Sequence, residues 1–172
     1  VLELVRGKCK ALAHLGLREN DIGPDGVGAL TEALGGYKAL AHLDLCSNWI
    51  GWEGAESVAA VLGECRALTR LLLGANRIGD RGVSRLVPGL RECKALEHVD
   101  LSTNDLADEG ASSLAGVLAD CSALRHLEIS INFIGPEGAQ RMGEVLGQCS
   151  TLTRIDLNCN EMCPDGVESI AG

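Results

Sequence analysis

Apolar residues recur along this chain with two periods in alternation, and the pair of patterns returns every 28 residues. In the first copy Leu15 and Leu17 alternate with residues of another character, which predicts a short strand with one inward face. Further on, Val27, Leu30, Thr31 and Leu34 fall at i, i+3, i+4 and i+7, one face of a helix. Shifted by 28, the sequence aligns with itself from end to end. Full units run over 11–38, 39–66, 67–94, 95–122 and 123–150, with partial units at 1–10 and 151–172 and no linker between them. The whole chain, 1–172, therefore reads as a single domain of strand-and-helix units.

Each unit follows L-x-x-L-x-L-x-x-N-x-I-G-x-x-G. Leu12, Leu15, Leu17, Asn20, Ile22, Gly23 and Gly26 supply it first, and Leu68, Leu71, Leu73, Asn76, Ile78, Gly79 and Gly82 supply it in the third unit. The asparagine returns every time, as Asn20, Asn48, Asn76, Asn104, Asn132 and Asn160, whereas Ala107 and Cys163 stand where other units have the first glycine. Carboxylates occupy the slot before the second glycine, as Asp25, Glu53, Glu109, Glu137 and Asp165, and Arg81 alone breaks the series. If the helix begins at that glycine, each carboxylate faces the positive end of its dipole.

These features resemble the leucine-rich repeat family, and specifically its ribonuclease-inhibitor-like class. The resemblance implies an α/β fold: a horseshoe solenoid of 28-residue repeats, with a parallel β-sheet on the concave face and α-helices on the convex face. It also implies that the asparagine side chains form a ladder, satisfying backbone groups in the turn that leaves each strand. Spacing agrees, because parallel strands sit about 4.8 Å apart while packed helices need about 8–10 Å, so each unit turns by about 20–25°. Both ends of the chain fall inside a unit and neither carries a polar cap. This points to a fragment of a longer protein, or to self-association through the uncapped ends.

Composition narrows the partners. Hydrophobic residues make up 46% of the chain, enough for a core, while the formal net charge is -9. That acidity argues against nucleic acid and against an anionic membrane surface, and no apolar run is long enough to span a bilayer. Of eight cysteines, Cys9, Cys65, Cys93, Cys121 and Cys149 fall on the repeat period, with Tyr37 at the missing step. They read as small buried thiols rather than disulfide halves, which places the protein inside the cell, in the cytoplasm. Cys159 and Cys163 lack the partners of a zinc site, and no Gly-rich element matches a phosphate loop, so neither metal nor cofactor is called for.

Residues flanking the inward leucines point into the concave face, where by resemblance protein partners bind. One row reads His14, His42, Arg70, His98, His126 and Arg154; the next reads Gly16, Asp44, Leu72, Asp100, Glu128 and Asp156; the third reads Arg18, Cys46, Gly74, Ser102, Ser130 and Asn158. Neighbouring histidines repel when protonated, which makes the surface pH-sensitive. His98, Asp100 and Ser102 hold the residue types of a hydrolase triad. Alternate strand residues are about 6.8 Å apart, however, and here aspartate rather than histidine is central, so no enzyme is expected.

Departures from the repeat carry more information than positions that follow it. Leu72, Arg77 and Arg81 are such departures, and three of the four aromatic residues, Trp49, Trp52 and Phe133, lie in strand-to-helix turns. Tryptophan and arginine are enriched in binding hot spots. Trp49, Trp52, Leu72, Arg77 and Arg81 form one candidate contact patch and Phe133 a separate contact. The concave candidates are His42, Asp44, Arg70, His98, Asp100, His126 and Glu128, the acidic ones suited to a basic partner. The chain reads as a non-enzymatic protein–protein interaction scaffold, similar to the ligand-sensing or autoinhibitory repeats of NOD-like receptors. The alternative is a small-GTPase activator, because Ran GTPase-activating proteins are similar to this repeat class, although their irregular repeats and acidic tail are not seen here.

Overall fold

The computed structural model describes residues 11–171. Six strands, β1 (His14–Gly16), β2 (His42–Asp44), β3 (Arg70–Leu72), β4 (His98–Asp100), β5 (His126–Glu128) and β6 (Arg154–Asp156), alternate with six helices. These are α1 (Gly23–Leu34), α2 (Gly51–Leu62), α3 (Gly79–Glu92), α4 (Asp108–Leu118), α5 (Pro136–Leu146) and α6 (Cys163–Ala171). The strands form one open parallel sheet in chain order, and the helices pack consecutively against one another.

A strand of three residues has no independent stability. Here each one is held by the next at the same slot of the repeat: Leu15 pairs with Leu43, Leu43 with Leu71, Leu71 with Val99, Val99 with Leu127 and Leu127 with Ile155. The sequence period is therefore also the sheet register. From the helical side Leu34, Leu62, Leu90 and Leu118 close the same apolar core, and Val27, Leu30, Thr31 and Leu34 are the buried face of α1, as the spacing requires.

The asparagines join the units. Asn76 Oδ1 accepts the Asn48 N–H at 2.9 Å, and its Nδ2 donates to the carbonyls of Leu45, Leu73 and Gly74 at 2.9, 2.9 and 3.1 Å. Asn48 and Asn104 repeat the pattern, and all three side chains have no exposed surface. Buried polar groups persist only when hydrogen-bonded, so one amide satisfies a turn that would otherwise leave several backbone groups unpaired.

Cys65, Cys93 and Cys121 are buried free thiols, and Tyr37 is buried at the equivalent step, whereas Cys149, expected to be buried like them, is only half-buried at the edge of the core. Burial raises the thiol pKa of Cys65 and Cys121 and pushes that of Cys93 up to about 11. Cys9 lies outside the described residues.

Helix starts differ from expectation. The first three helices begin at Gly23, Gly51 and Gly79, three residues before the glycine expected to open them, because these residues take φ of 65°, 59° and 61° and turn the chain into the helix. Asp25 and Glu53 therefore lie inside the first turn, and in α3 Asp80 supplies the acid that Arg81 does not. The next two units turn differently. Ala107 and Gly135 are extended, and their N–H groups donate to Asp80 Oδ1 at 2.7 Å and Asp108 Oδ1 at 2.8 Å. An aspartate at the start of one helix thus caps the next, which explains how alanine is accommodated at 107.

Candidate functional site

The sheet face turned away from the helices carries the first two expected rows in register. His42 lies beside His14, with ring centroids 4.2 Å apart, and His126 lies edge-on to His98 at 5.7 Å. Arg70 stands between the two pairs, next to both His42 and His98. His98 Nε2 is 3.2 Å from Glu128 Oε1 but out of line for a hydrogen bond, so this buried nitrogen has no hydrogen-bond partner. Burial lowers the His98 pKa, Arg70 lowers it further, and Glu128 pulls the other way. His42 is likewise lowered, first by burial and then by His14 and Arg70.

The sign of the pH effect follows. A histidine whose native pKa lies below its unfolded value binds fewer protons when folded, so stability is full above about pH 6.5 and falls as acid protonates the unfolded chain preferentially. Urea unfolding followed downward from neutral pH should show this loss, and His98→Gln should make the curve flatter. An unchanged slope in the variant would remove His98 as its source.

Carboxylates of the acidic row are partly engaged with their own strands. Asp44 Oδ1 accepts the Cys46 N–H at 3.0 Å, and Asp100 Oδ1 accepts from the Ser102 N–H at 2.8 Å and the Ser102 hydroxyl at 2.6 Å. Cys46, expected on the open face, is instead buried, and its sulfur lies 3.9 Å from Asp100 Oδ2. Gly74 leaves the room for this: a Cβ there would sit 3.0 Å from the same oxygen. Burial, then the charge of Asp44, pushes the Cys46 thiol up to about 12.

The turns gather the tryptophans and arginines. Arg77 lies over the Trp49 ring, its guanidinium carbon 4.2 Å from the centroid, and Arg81 lies over Trp52 at 3.4 Å. Trp49 Nε1 donates to Asp21 Oδ1 at 3.1 Å, which fixes the indole from the other side. Trp49 is still 51% exposed. Its backbone φ is 56° and that of Arg77 is 54°, a region that large side chains disfavour by about 1–2 kcal/mol. The same slot in neighbouring units holds Asp21 and Asp105, residues that accept this conformation readily. The backbone does not ask for tryptophan or arginine here.

Leu72 does not join this patch. It lies on the sheet face and lines a shallow cavity of about 230 Å³ with His14, His42, Asp44 and Arg70, because strand alternation carries it away from the turn. Phe133 is 54% exposed, and Ile131, 56% exposed at a φ of 54°, adds to it a second apolar turn. Asp21 and Ile131 were not singled out from the sequence. For Asp21 the available signal was its position, 28 residues before Trp49.

Among the described residues no helix is long and apolar enough to cross a membrane, and no group of three or more His, Cys, Asp or Glu side chains could hold a metal ion.

The repeating strand, asparagine turn and helix define the class. The family profile described as Leucine Rich repeat matches residues 8–30, 40–59, 64–87, 92–115 and 148–171, and the chain belongs to that family. Its fold is similar to that of the tropomodulin C-terminal domain from Caenorhabditis elegans, with a TM-score of 0.71 at 15% identity, covering 86% of this chain and 90% of that one. It is also similar to the leiomodin-1 domain named Actin-Binding Site 2, with a TM-score of 0.62 at 15% identity, covering 99% of this chain and 85% of that one. No curated protein sequence matches it.

Proposed function

We propose that the chain is a non-enzymatic protein-interaction module, binding a partner through the sheet face and the adjoining turns. The observation that carries this reading is the exposed Trp49 stacked under Arg77, both held in a backbone conformation that neither residue type favours. Folding alone gives no reason for them, whereas both types suit a binding hot spot. The sheet adds preorganisation, since side chains fixed at strand spacing lose little entropy on association. The leiomodin-1 domain of this architecture is named for binding a protein, actin.

The remaining parts of the reading are of the same kind. The ribonuclease-inhibitor-like class rests on the 28-residue unit, as does the likeness to NOD-like receptor repeats. A single domain over 1–172 follows from the unbroken period, and an intracellular setting from the buried, periodic thiols. Affinity capture from cell extract tests the module. The wild-type chain should retain a protein that a Trp49→Ala, Trp52→Ala double variant of equal helical content loses. If both capture the same proteins, the turns are not the contact; if neither captures any, the chain is not acting as a binding module in that extract.

A further inference from the structure

The charge is distributed unevenly among the units. Residues 67–94 carry six basic side chains, Arg70, Arg77, Arg81, Arg85, Arg91 and Lys94, against two acids, Asp80 and Glu92. The following unit, 95–122, carries six acids and no Lys or Arg. A positive band thus crosses an acidic protein immediately beside its most negative band.

Its arginines are used in two ways. Arg91 pairs with Asp120 at 2.9 Å and Arg85 with Glu56 at 3.5 Å, so these charges are already answered. Arg77 and Arg81 lean back toward the preceding unit and lie on indoles. Among the described residues neither makes an ion pair or a hydrogen bond. With its carbon over an indole ring and no hydrogen bond made, each guanidinium has N–H donors left for a ligand, and those donors match a carboxylate in a bidentate pair. The stack therefore positions two cationic forks without consuming their donors, beside the half-exposed Trp49.

Deepening the interaction-module reading, on which it rests, we propose that the Trp49–Arg77 and Trp52–Arg81 stacks are a docking site for a short acidic segment of a protein partner. Carboxylates of that segment occupy the two guanidinium edges, and an apolar side chain lies against Trp49. The neighbouring unit limits its length. A long polyanion would run on to Asp105, Asp108 and Glu109 and be repelled, while a segment with a few carboxylates ends before them.

The two tryptophans of the chain, Trp49 and Trp52, are both in the site, so their emission reports on it alone. The test titrates the full chain with a blocked Asp-Glu-Leu-Glu peptide, following indole emission and, independently, the anisotropy of a labelled copy. Saturable binding is expected, weakened about tenfold by the Arg77→Gln, Arg81→Gln double variant. An Arg85→Gln, Arg91→Gln double variant, which removes the same charge from the same unit, should weaken it by less than about twofold. Circular dichroism confirms that both variants fold. Absence of saturation, equal weakening in the two variants, or tighter binding of a single-stranded RNA oligomer would each overturn the proposal. A Lys-Arg-Leu-Lys peptide separates the two levels of the argument. If only this basic peptide binds, and indole emission does not change, the module reading stands on its acidic row and the acidic-segment site is wrong. If neither peptide binds, both readings fall.

Discussion

Replacing Asn76 by alanine is expected to lower the unfolding free energy by about 3–5 kcal/mol, enough to bring a domain of ordinary stability close to its unfolding threshold. The side chain accepts from the Asn48 N–H at 2.9 Å and the Ile50 N–H at 3.4 Å, and donates to three carbonyls, two in its own unit and one in the preceding unit. Alanine would leave these groups unpaired in a site with no exposed surface. Each orphaned buried group costs about 1–3 kcal/mol, and the total stays below the sum because water and small backbone shifts recover part of it. Asn20 makes the internal control. Its side chain is exposed and its Nδ2 donates to Leu17 and Arg18 carbonyls that water can reach, so Asn20→Ala should cost less than about 1 kcal/mol. Urea unfolding of the two variants checks the contrast. A cost below about 1 kcal/mol at Asn76 would show that the ladder does not hold the units together.

The ladder also marks how far the sequence could be read. A strict period fixes what the units share, and so the strand slots, the thiol slot and the asparagines were legible: in the central units Cys65, Cys93 and Cys121 are buried, as are Asn48, Asn76, Asn104 and Asn132. The histidine row was legible for the same reason, since residues 28 apart become neighbours in a parallel register. What escaped lies between units. Arg77 on Trp49 and Arg81 on Trp52 were placed in one patch from composition, but the seating of each guanidinium over its indole and the bond to Asp21 depend on side-chain directions that periodicity does not carry. Leu72 was grouped with them because it departs from its repeat, and its place on the sheet face is the one the second row already gave it. The helix starts were misplaced because a glycine pattern has two candidate turning points, and only the φ values show that the first one turns. Cys46 meets a side chain from two strands away, a relation no single unit displays.

One further contact between units is expected to reverse the usual sign of a substitution. Glycine to alanine inside a helix normally stabilises by about 1 kcal/mol, because alanine loses less backbone entropy. At Gly116, in α4, a Cβ meets nothing within 4 Å, so Gly116→Ala should show that gain. At Gly89, in α3, the same Cβ would sit 2.5 Å from the Ala59 carbonyl oxygen and 2.6 Å from its Cα, both backbone atoms of α2. Neither can rotate away, so the helices must separate, and Gly89→Ala should cost about 2–4 kcal/mol despite its better helix propensity. The consequence reaches the candidate site, because α2 and α3 belong to the two units that contribute Trp49 with Trp52 and Arg77 with Arg81. A wedge between these helices alters the angle at which the guanidiniums meet the indoles, and indole emission should change at pH 7 before any unfolding. Paired denaturation curves decide the matter: two alanine variants in exposed and buried helix faces with opposite signs establish that close packing at Gly89 sets the stacking of the central units, and two gains of equal size would show that α2 and α3 have room to spare.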